Sequence, residues 1–340
     1  MTTTNESYSH LFAPLRVNHL TLRNRVVMPP MVTNFGVTTE RSRAWYAERA
    51  RGGVGLIIVE ATRLPFFDQP GFALGLRALA EAVHAEGATI AIQLFAPPQV
   101  NGEPVEVTGS ETARGITREE IRALIDRFAE VAKVVQEAGF DAVEPHGAHG
   151  FFLNQFFSPR FNQREDEYGG DLVGRMRLGC EIVRRIREAV GPDYLILYRH
   201  TPEERAAGGY TLEESQTFAQ ELVRAGVNVL DISPSTEPDG EHAGLAAAIK
   251  SCVDVPVIAV GGMNDPEAAE AALRAGKCDL VAIGRGLIAD PYWPEKVFSG
   301  RRAEIVACVE CNEGCFGNLR QGVPIGCTQN PRAGLEYQEA

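Results

Sequence analysis

Long apolar segments are missing from this 340-residue sequence, and so is an excess of positive charge. No apolar run approaches the roughly 20 residues that a membrane-spanning helix needs. The first residues, MTTTNESYSHLF, have neither the basic nor the apolar region of a targeting peptide. Acidic residues outnumber basic ones by 45 to 33, and the net charge of −12 is spread along the chain. We therefore predict a cytoplasmic protein that binds neither membranes nor nucleic acids.

Cysteine is also scarce, and the distribution of the seven cysteines is unlike a secreted disulfide framework. Cys180, Cys252 and Cys278 lie in apolar contexts and are predicted to be ordinary buried thiols. The other four crowd near the end of the sequence, at Cys308, Cys311, Cys315 and Cys327. Because three cysteines so close together are typical of an iron–sulfur cluster, we predict a [4Fe–4S] site, with a four-cysteine zinc site as the alternative.

Eight short aliphatic runs recur along the sequence, each followed by a polar turn and an amphipathic stretch. The runs cover residues 25–28, 55–60, 88–93, 140–145, 194–199, 227–232, 255–260 and 279–283. The helices predicted between them include 117–138, 171–190, 211–225 and 265–275. Near-continuous apolarity is what parallel strands covered on both faces require. The pattern therefore predicts an α/β fold, a (β/α)8 TIM barrel, with a doubly wound sheet as the alternative.

Two segments fall outside this repeating pattern. Residues 10–24 precede the first strand and are predicted to form a hairpin or lid that closes the bottom of the barrel. Residues 300–340 lose the period and carry the four clustered cysteines. We therefore expect the barrel to occupy residues 1–299 and a cluster-binding C-terminal extension to occupy residues 300–340.

Glycines and an arginine follow the last two predicted strands, as Gly261-Gly262-Met263 and Gly284-Arg285-Gly286. In barrels of this kind the loops after strands seven and eight often bind a phosphate through backbone N–H groups, and an arginine can fork onto its oxygens. These segments therefore predict a phosphate site. The alternative is a pair of tight turns that require positive φ.

Polar side chains stand at the ends of other predicted strands, where Gln93 ends the third and Arg199 ends the fifth. A buried guanidinium is costly unless it meets an anion or a ligand. Beside a flavin, such an arginine can stabilise the negative charge of the reduced ring, and an amide can hydrogen-bond the polar edge of the ring. A salt bridge from Arg199 to Glu60 or Glu144 is the alternative.

Two histidines, His146 and His149, follow the fourth predicted strand in the segment HGAHGF. Placed three residues apart at a loop-to-helix junction, their side chains can point the same way and donate jointly to one oxygen. A metal site is the alternative, but no third ligand stands at a suitable spacing.

Three segments give the sequence a family resemblance. They are LFAPLRVNHLTLRNRVVMPPM, HGAHGFFLNQFFSPRFNQREDEYGGDLVGRMRL and VAIGRGLIADPYWPEKV, and they resemble the Old Yellow Enzyme family of FMN-dependent oxidoreductases. With the cysteines, the chain is most similar to the FMN and iron–sulfur portion of bacterial 2,4-dienoyl-CoA reductases and trimethylamine dehydrogenase. The resemblance implies that FMN contacts Pro30, Met31, Ala61, Gln93, Arg199, Gly262, Gly284 and Arg285. It also implies that His146 and His149 hold the electron-withdrawing group of the substrate.

The chain departs from the family pattern beside the second histidine. Many relatives carry a proton-donating tyrosine two residues after it, whereas this chain has Phe151, which cannot donate a proton. The alternative donors are His242, which resembles a loop histidine of the dienoyl-CoA reductases in its placement, and also His200, Tyr210 or water. Val32 stands where relatives often carry cysteine or threonine near the flavin.

The cysteine spacing matches that of the dienoyl-CoA reductases, in which an FAD and NAD(P)H domain follows the cluster. No such domain lies within these 340 residues, so we expect a partner such as a ferredoxin or an FAD/NAD(P)H reductase to deliver electrons. NAD(P)H and a homo-oligomeric state remain candidates. The resemblance implies an ene-reductase that transfers hydride to an activated alkene. The alternatives are a dehydrogenase of amines or saturated rings, an electron-transfer subunit, and a cluster with only a structural role.

Overall fold

The computed structural model describes residues 6–234 and 242–338. Its centre is a closed barrel of eight parallel strands, in which the eighth strand pairs with the first. In chain order the strands are β1 (Val26–Met28), β2 (Leu56–Arg63), β3 (Thr89–Phe95), β4 (Ala142–Gly147), β5 (Leu195–His200), β6 (Val229–Ile232), β7 (Val257–Val260) and β8 (Leu280–Ala282). Each strand falls on one of the eight predicted runs, so the predicted TIM barrel is confirmed.

Eight helices follow the strands and surround the barrel. They are Glu40–Arg51, Phe72–Ala85, Arg118–Glu137, Leu172–Val190, Leu212–Ala225, His242–Lys250, Pro266–Arg274 and Trp293–Phe298. Threonine caps begin three of them, at Thr39, Thr117 and Thr211, and the last two each form a reciprocal capping box with the glutamate three residues later. Short helices Phe152–Phe157 and Arg285–Ala289 lie within the loops after β4 and β8.

The alternation of side chains along the strands divides the barrel interior into layers. Successive residues of a strand point to opposite faces, so residues two apart share a face. The lower interior is apolar and includes Ile58, Ala91, Ala142, Leu197 and Val229. The residues two positions further along these strands are Glu60, Gln93, Glu144, Arg199 and Asp231, and all five are buried. The fold thus places a polar layer above an apolar one, toward the carboxyl ends of the strands.

The N-terminal hairpin closes the lower end of the barrel, as predicted. Its strands, Leu15–Val17 and Leu20–Leu22, pair in antiparallel fashion. Val17 and Leu22 join the apolar cluster of the barrel interior. The bottom is therefore sealed, and the polar layer faces the opposite end.

The segment after the last barrel helix packs against the barrel through short turns. Its elements are the 3₁₀ turn Arg302–Glu304, the π-helical turn Glu313–Gly317 and the short helix Asn318–Arg320. The Ile325 N–H donates to the Thr33 carbonyl at 2.9 Å, next to the β1 loop. Further on, Glu336 forms an ion pair at 2.7 Å with Arg49, and both side chains are almost fully buried. The division at residue 299 stays a prediction.

Two observations complete the fold. Cys180 and Cys278 are buried as predicted, and burial raises the pKa of each thiol to about 12, whereas Cys252 is only partly buried. In residues 6–234 and 242–338, no helix combines the length and apolarity that crossing a membrane demands.

Candidate active site

Arg199 lies at the centre of the polar layer and is held from one side by β6. Its Nε lies 3.2 Å from Asp231 Oδ2, within ion-pair distance but without the alignment of a hydrogen bond. Its Nη2 donates to Ser233 Oγ at 3.0 Å. The alternative salt bridges to Glu60 and Glu144 are wrong for this structure, because Glu60 accepts two hydrogen bonds from Thr33 and the ion pair goes to Asp231.

Gln93 and Glu144 occupy the neighbouring part of the layer. They lie opposite each other in the β3–β4 register, and Gln93 Nε2 donates to Glu144 Oε1 at 2.8 Å. Burial, and then the nearby Asp231, raise the pKa of Glu144 well above its ordinary value. Burial also raises the pKa of Asp231. The layer thus contains one arginine and three carboxyl groups, those of Glu60, Glu144 and Asp231, in a water-poor interior.

The histidines after β4 meet at the top of this layer. The rings of His146 and His149 are 5.3 Å apart and nearly perpendicular. Burial lowers the pKa of His146 well below its ordinary value and that of His149 to about 3, and the positive charge of Arg199 lowers both further. Both imidazoles are therefore neutral near pH 7, and each offers one N–H donor. They can hydrogen-bond a substrate oxygen without adding charge.

Two residues fix the position of His149. Its backbone has φ of 60°, a left-handed conformation that is uncommon outside glycine. Its N–H donates to Thr201 Oγ1 at 2.9 Å, and the Thr201 hydroxyl donates to the Ser233 carbonyl at 3.1 Å. Its Nε2 lies 2.8 Å from Ser233 Oγ. Ser233 therefore connects Arg199 to His149.

Aromatic side chains form one wall beside the histidines. Phe151 packs edge-on against Phe95, with centroids 5.2 Å apart, and against His146 at 4.9 Å. Phe151 is 43% exposed, so part of its ring faces the opening above the barrel. The wall offers apolar contact and no proton at the position where relatives carry tyrosine.

Two of the alternative proton donors are committed to other contacts. His200 lies outside the polar layer, fully buried, with Nε2 2.9 Å from Ser215 Oγ, and burial lowers its pKa to about 3. The Tyr210 hydroxyl donates to the Thr201 carbonyl at 3.0 Å, and burial raises its pKa. Neither side chain is placed to donate a proton at the histidine pair.

His242 begins the helix after β6, and its ring packs against Gly261. A Cβ at Gly261 would lie 2.3 Å from His242 Nδ1, so this close approach requires a residue without a side chain. His242 also lines a cavity of about 340 Å³ with Gly262, Met263 and Lys277. Its role as an acid stays a prediction, since its ring faces the β7 loop.

The remaining residues predicted to contact FMN lie around the barrel opening, beyond the strand ends or, for Ala61, near the end of β2. Pro30 and Met31 follow β1, and Ala61 lies where the β2–β3 register shifts between Val59 and Thr62. A Cβ at Gly284 would lie 3.5 Å from Met31 Sδ, so the β1 and β8 loops meet here. Irregular strand ends at a barrel rim are typical of ligand sites.

The polar groups of the site fit a flavin. His146 Nδ1 is buried and has no hydrogen-bond partner within residues 6–234 and 242–338. Buried donors and acceptors are normally satisfied, so this nitrogen at the top of the polar layer fits a hydrogen bond to a bound group. In the loop after β7, Gly261 and Gly262 have φ angles of 103° and 70°. These positive angles fit the alternative of tight turns, and they are also compatible with a phosphate site.

Arg285 points toward the cysteine-containing segment. Its guanidinium donates to Glu310 Oε1 at 3.0 Å and to Asn312 Oδ1 at 3.1 Å. A phosphate contact by Arg285 stays a prediction. Neither contact could be predicted from the sequence, because they join residues 25 and 27 positions apart.

The four clustered cysteines surround one cavity. Cys308, Cys311, Cys315 and Cys327 all line a small cavity of about 20 Å³, together with Arg285. Across the described part of the chain, no three His, Cys, Asp or Glu side chains gather closely enough to hold a single metal ion. The structure thus brings the four thiols to one cavity, and their use as cluster ligands stays a prediction.

Comparison with known proteins agrees with this site. The profile of the NADH:flavin oxidoreductase / NADH oxidase family matches residues 10–304. An NADH oxidase of Thermoanaerobacter brockii is 41% identical over 97% of this chain and 57% of its own length. A cinnamate reductase of Clostridium sporogenes is 32% identical over 98% of this chain and 59% of its own length. The chain therefore spans less than two thirds of these curated relatives.

A solved structure extends the agreement to the fold. The old yellow enzyme homologue from Zymomonas mobilis superposes with a TM-score of 0.79 at 25% identity, covering 97% of this chain and 99% of that one. The resemblance to the Old Yellow Enzyme family is thereby confirmed.

Proposed function

Since the chain belongs to the NADH:flavin oxidoreductase / NADH oxidase family, we propose that its barrel is the catalytic part of an ene-reductase. Family membership makes the chain an FMN-dependent oxidoreductase. The reduction of an activated alkene, an enone or an enoyl or dienoyl thioester, is the specific reaction that we infer. Its main support is the pair of neutral histidines above the polar layer.

Bound FMN would supply the hydride that adds to the β-carbon of the alkene. Gln93 and Arg199 would contact the flavin from the polar layer, and Pro30, Met31, Ala61, Gly262, Gly284 and Arg285 would contact it from around the barrel opening. His146 and His149 would donate hydrogen bonds to the carbonyl oxygen of the substrate, where negative charge develops in the transition state.

The wall of Phe95 and Phe151 supports a planar, apolar substrate. Edge-to-face contacts with such rings contribute roughly 0.5–1.5 kcal/mol beyond area burial. Cinnamate is an aryl-substituted alkene. The similarity to a relative named cinnamate reductase therefore favours an aryl-substituted substrate here. Because Phe151 cannot donate, the proton for the α-carbon would come from water or from His242.

We further propose that Cys308, Cys311, Cys315 and Cys327 bind a [4Fe–4S] cluster. Four thiolates are the usual ligands of this cluster, and the shared cavity supports their joint use. A bound cluster would relay single electrons to the flavin. The curated relatives are longer than this chain, which covers 57% of the Thermoanaerobacter brockii NADH oxidase. We propose that the electrons come from NAD(P)H through an FAD-containing partner, or from a ferredoxin.

An anaerobic assay tests the ene-reductase proposal. The flavin of the purified protein is reduced photochemically and mixed with cinnamate-type acids, enones and enoyl thioesters. We expect at least one class to reoxidise the flavin. We also expect His146→Leu and His149→Leu, which remove the N–H donors, to slow this step by about 10²-fold, as the loss of an oxyanion donor does elsewhere.

His84 provides the matched control, because it is a partly exposed histidine paired with Asp141 at 2.8 Å, outside the polar layer. His84→Leu should retain the rate. Failure of every alkene to reoxidise the flavin, or equal losses in all three variants, would contradict the proposal.

A further inference from the structure

The barrel interior contains a carboxyl pair that the reaction above does not use. Glu144 on β4 and Asp231 on β6 are both fully buried, and they flank Arg199 on the strand between them. Arg199 and Asp231 lie opposite each other in the β5–β6 register. On β4 the register partner of Arg199 is His146, so Glu144 lies two residues lower on the neighbouring strand.

A count of hydrogen bonds shows that the pair needs a proton. Glu144 Oε1 accepts from Gln93, but Glu144 Oε2 and both Asp231 oxygens receive no hydrogen bond from a donor in residues 6–234 and 242–338. The two carboxyl groups are within hydrogen-bonding reach of each other. Two ionised carboxylates cannot form such a bond, whereas one proton between them satisfies it. The raised pKa of Glu144 agrees with a proton on that residue.

The charges immediately around Arg199 then balance. Arg199 carries one positive charge, Asp231 one negative charge, and protonated Glu144 none. His146 and His149 above them are neutral, because burial lowers the pKa of each. Glu60, on the far side of β3, accepts two hydrogen bonds from Thr33 and does not contact Arg199. The ion that opposes the arginine charge is therefore Asp231.

We propose that Glu144 and Asp231 share one proton, and that the remaining negative charge is the counter-ion of Arg199 and thereby sets the reduction potential of the bound flavin. The proposal rests on the predicted contact between Arg199 and FMN. Reduction adds negative charge to the flavin, so a neighbouring arginine favours the reduced form. Asp231 weakens that effect, because the two side chains lie 3.2 Å apart in a medium of low dielectric constant. Both carboxyls would act as positioning and tuning residues, without contacting the substrate.

Isosteric amides separate the charge from the shape. Glu144→Gln mimics the protonated glutamic acid, since its amide can donate to Asp231 and accept from Gln93. Asp231→Asn removes the counter-ion, but by itself it would let Glu144 ionise in compensation. The test therefore compares Glu144→Gln with the double variant Glu144→Gln/Asp231→Asn.

The potential of the flavin is measured by anaerobic dye-coupled titration, with no alkene present. We expect Glu144→Gln to leave the equilibrium between oxidised and reduced flavin within about twofold of the unsubstituted protein. The double variant should favour the reduced form by about tenfold or more, which is about 30 mV for a two-electron couple. An unchanged potential in the double variant would overturn the proposal, and so would an equal shift in Glu144→Gln alone.

A second measurement keeps the proposal testable if the double variant fails to fold or to retain FMN. Infrared spectroscopy of the unsubstituted protein near neutral pH should show a protonated carboxyl band that is lost in Glu144→Gln. Glu60→Gln is the matched control, because burial also raises the pKa of Glu60. Absence of a band assignable to Glu144 would overturn the shared proton. Because neither measurement uses an alkene, failure of the ene-reductase proposal would leave both results interpretable.

Discussion

Removal of the Ser233 hydroxyl should impair the histidine pair without unfolding the barrel. In Ser233→Ala, Arg199 Nη2 loses an acceptor at 3.0 Å and His149 Nε2 loses its partner at 2.8 Å. A hydrogen bond to a charged group contributes roughly 1.5–3 kcal/mol, and water at the barrel opening would restore part of it. We therefore expect a loss of about 2 kcal/mol in transition-state stabilisation, or about 30-fold in kcat/KM.

The assay is stopped-flow reoxidation of the reduced flavin by the best alkene, with thermal unfolding measured in parallel. Ser233→Thr, which keeps the hydroxyl, should recover most of the rate. Ser215→Ala is the matched control, because Ser215 Oγ also hydrogen-bonds a buried histidine, His200 at 2.9 Å, but outside the polar layer. An unchanged rate in Ser233→Ala would contradict this prediction. So would a loss of rate in Ser215→Ala as large as that in Ser233→Ala.

Three further predictions concern other parts of the chain. Phe151→Tyr places a hydroxyl beside the histidines and should speed product formation by about tenfold or more, as measured by single-turnover quenching. An unchanged rate would show that the proton donor lies elsewhere. Burial lowers the pKa of His149 and of His200 to about 3 from 6.5, so the unfolded chain binds the protons first and stability falls as pH drops through this window. Urea unfolding should show this fall, and His200→Phe should make it shallower. Glu336→Ala leaves Arg49 buried without its partner and should lower the free energy of unfolding by about 3–5 kcal/mol. An unchanged melting temperature in this variant would contradict firm packing of the C-terminal segment on the barrel.

The strands could be predicted because their signal is local. Each run of aliphatic residues, such as 194–199 or 255–260, shows a strand buried on both faces, and eight such units close into a barrel. The hairpin within residues 10–24 followed from its position before the first strand. Register between strands is not local, so the sequence did not show which partner Arg199 would have.

The missed site residues all lie on or beside β5 and β6. In the segment VLDIS, Val229, Asp231 and Ser233 alternate with the residues between them and so lie on one face of the strand. This alternation was a signal that Asp231 and Ser233 follow Val229 into the barrel interior. Thr201, which holds the backbone of His149, had no such signal, because its contact joins loops 52 residues apart. His146 and His149 were found because their spacing carries the chemistry within one segment.

A single-turnover yield tests the ene-reductase proposal most directly. Protein with its FMN reduced and all excess reductant removed is mixed anaerobically with a cinnamate-type alkene or an enone, and the saturated product is counted against the flavin reoxidised. We predict one saturated product for each flavin, with loss of the reaction in the His146→Leu/His149→Leu double variant. Reoxidation without saturated product, or bleaching of oxidised flavin by an amine in place of reoxidation by alkenes, would contradict it.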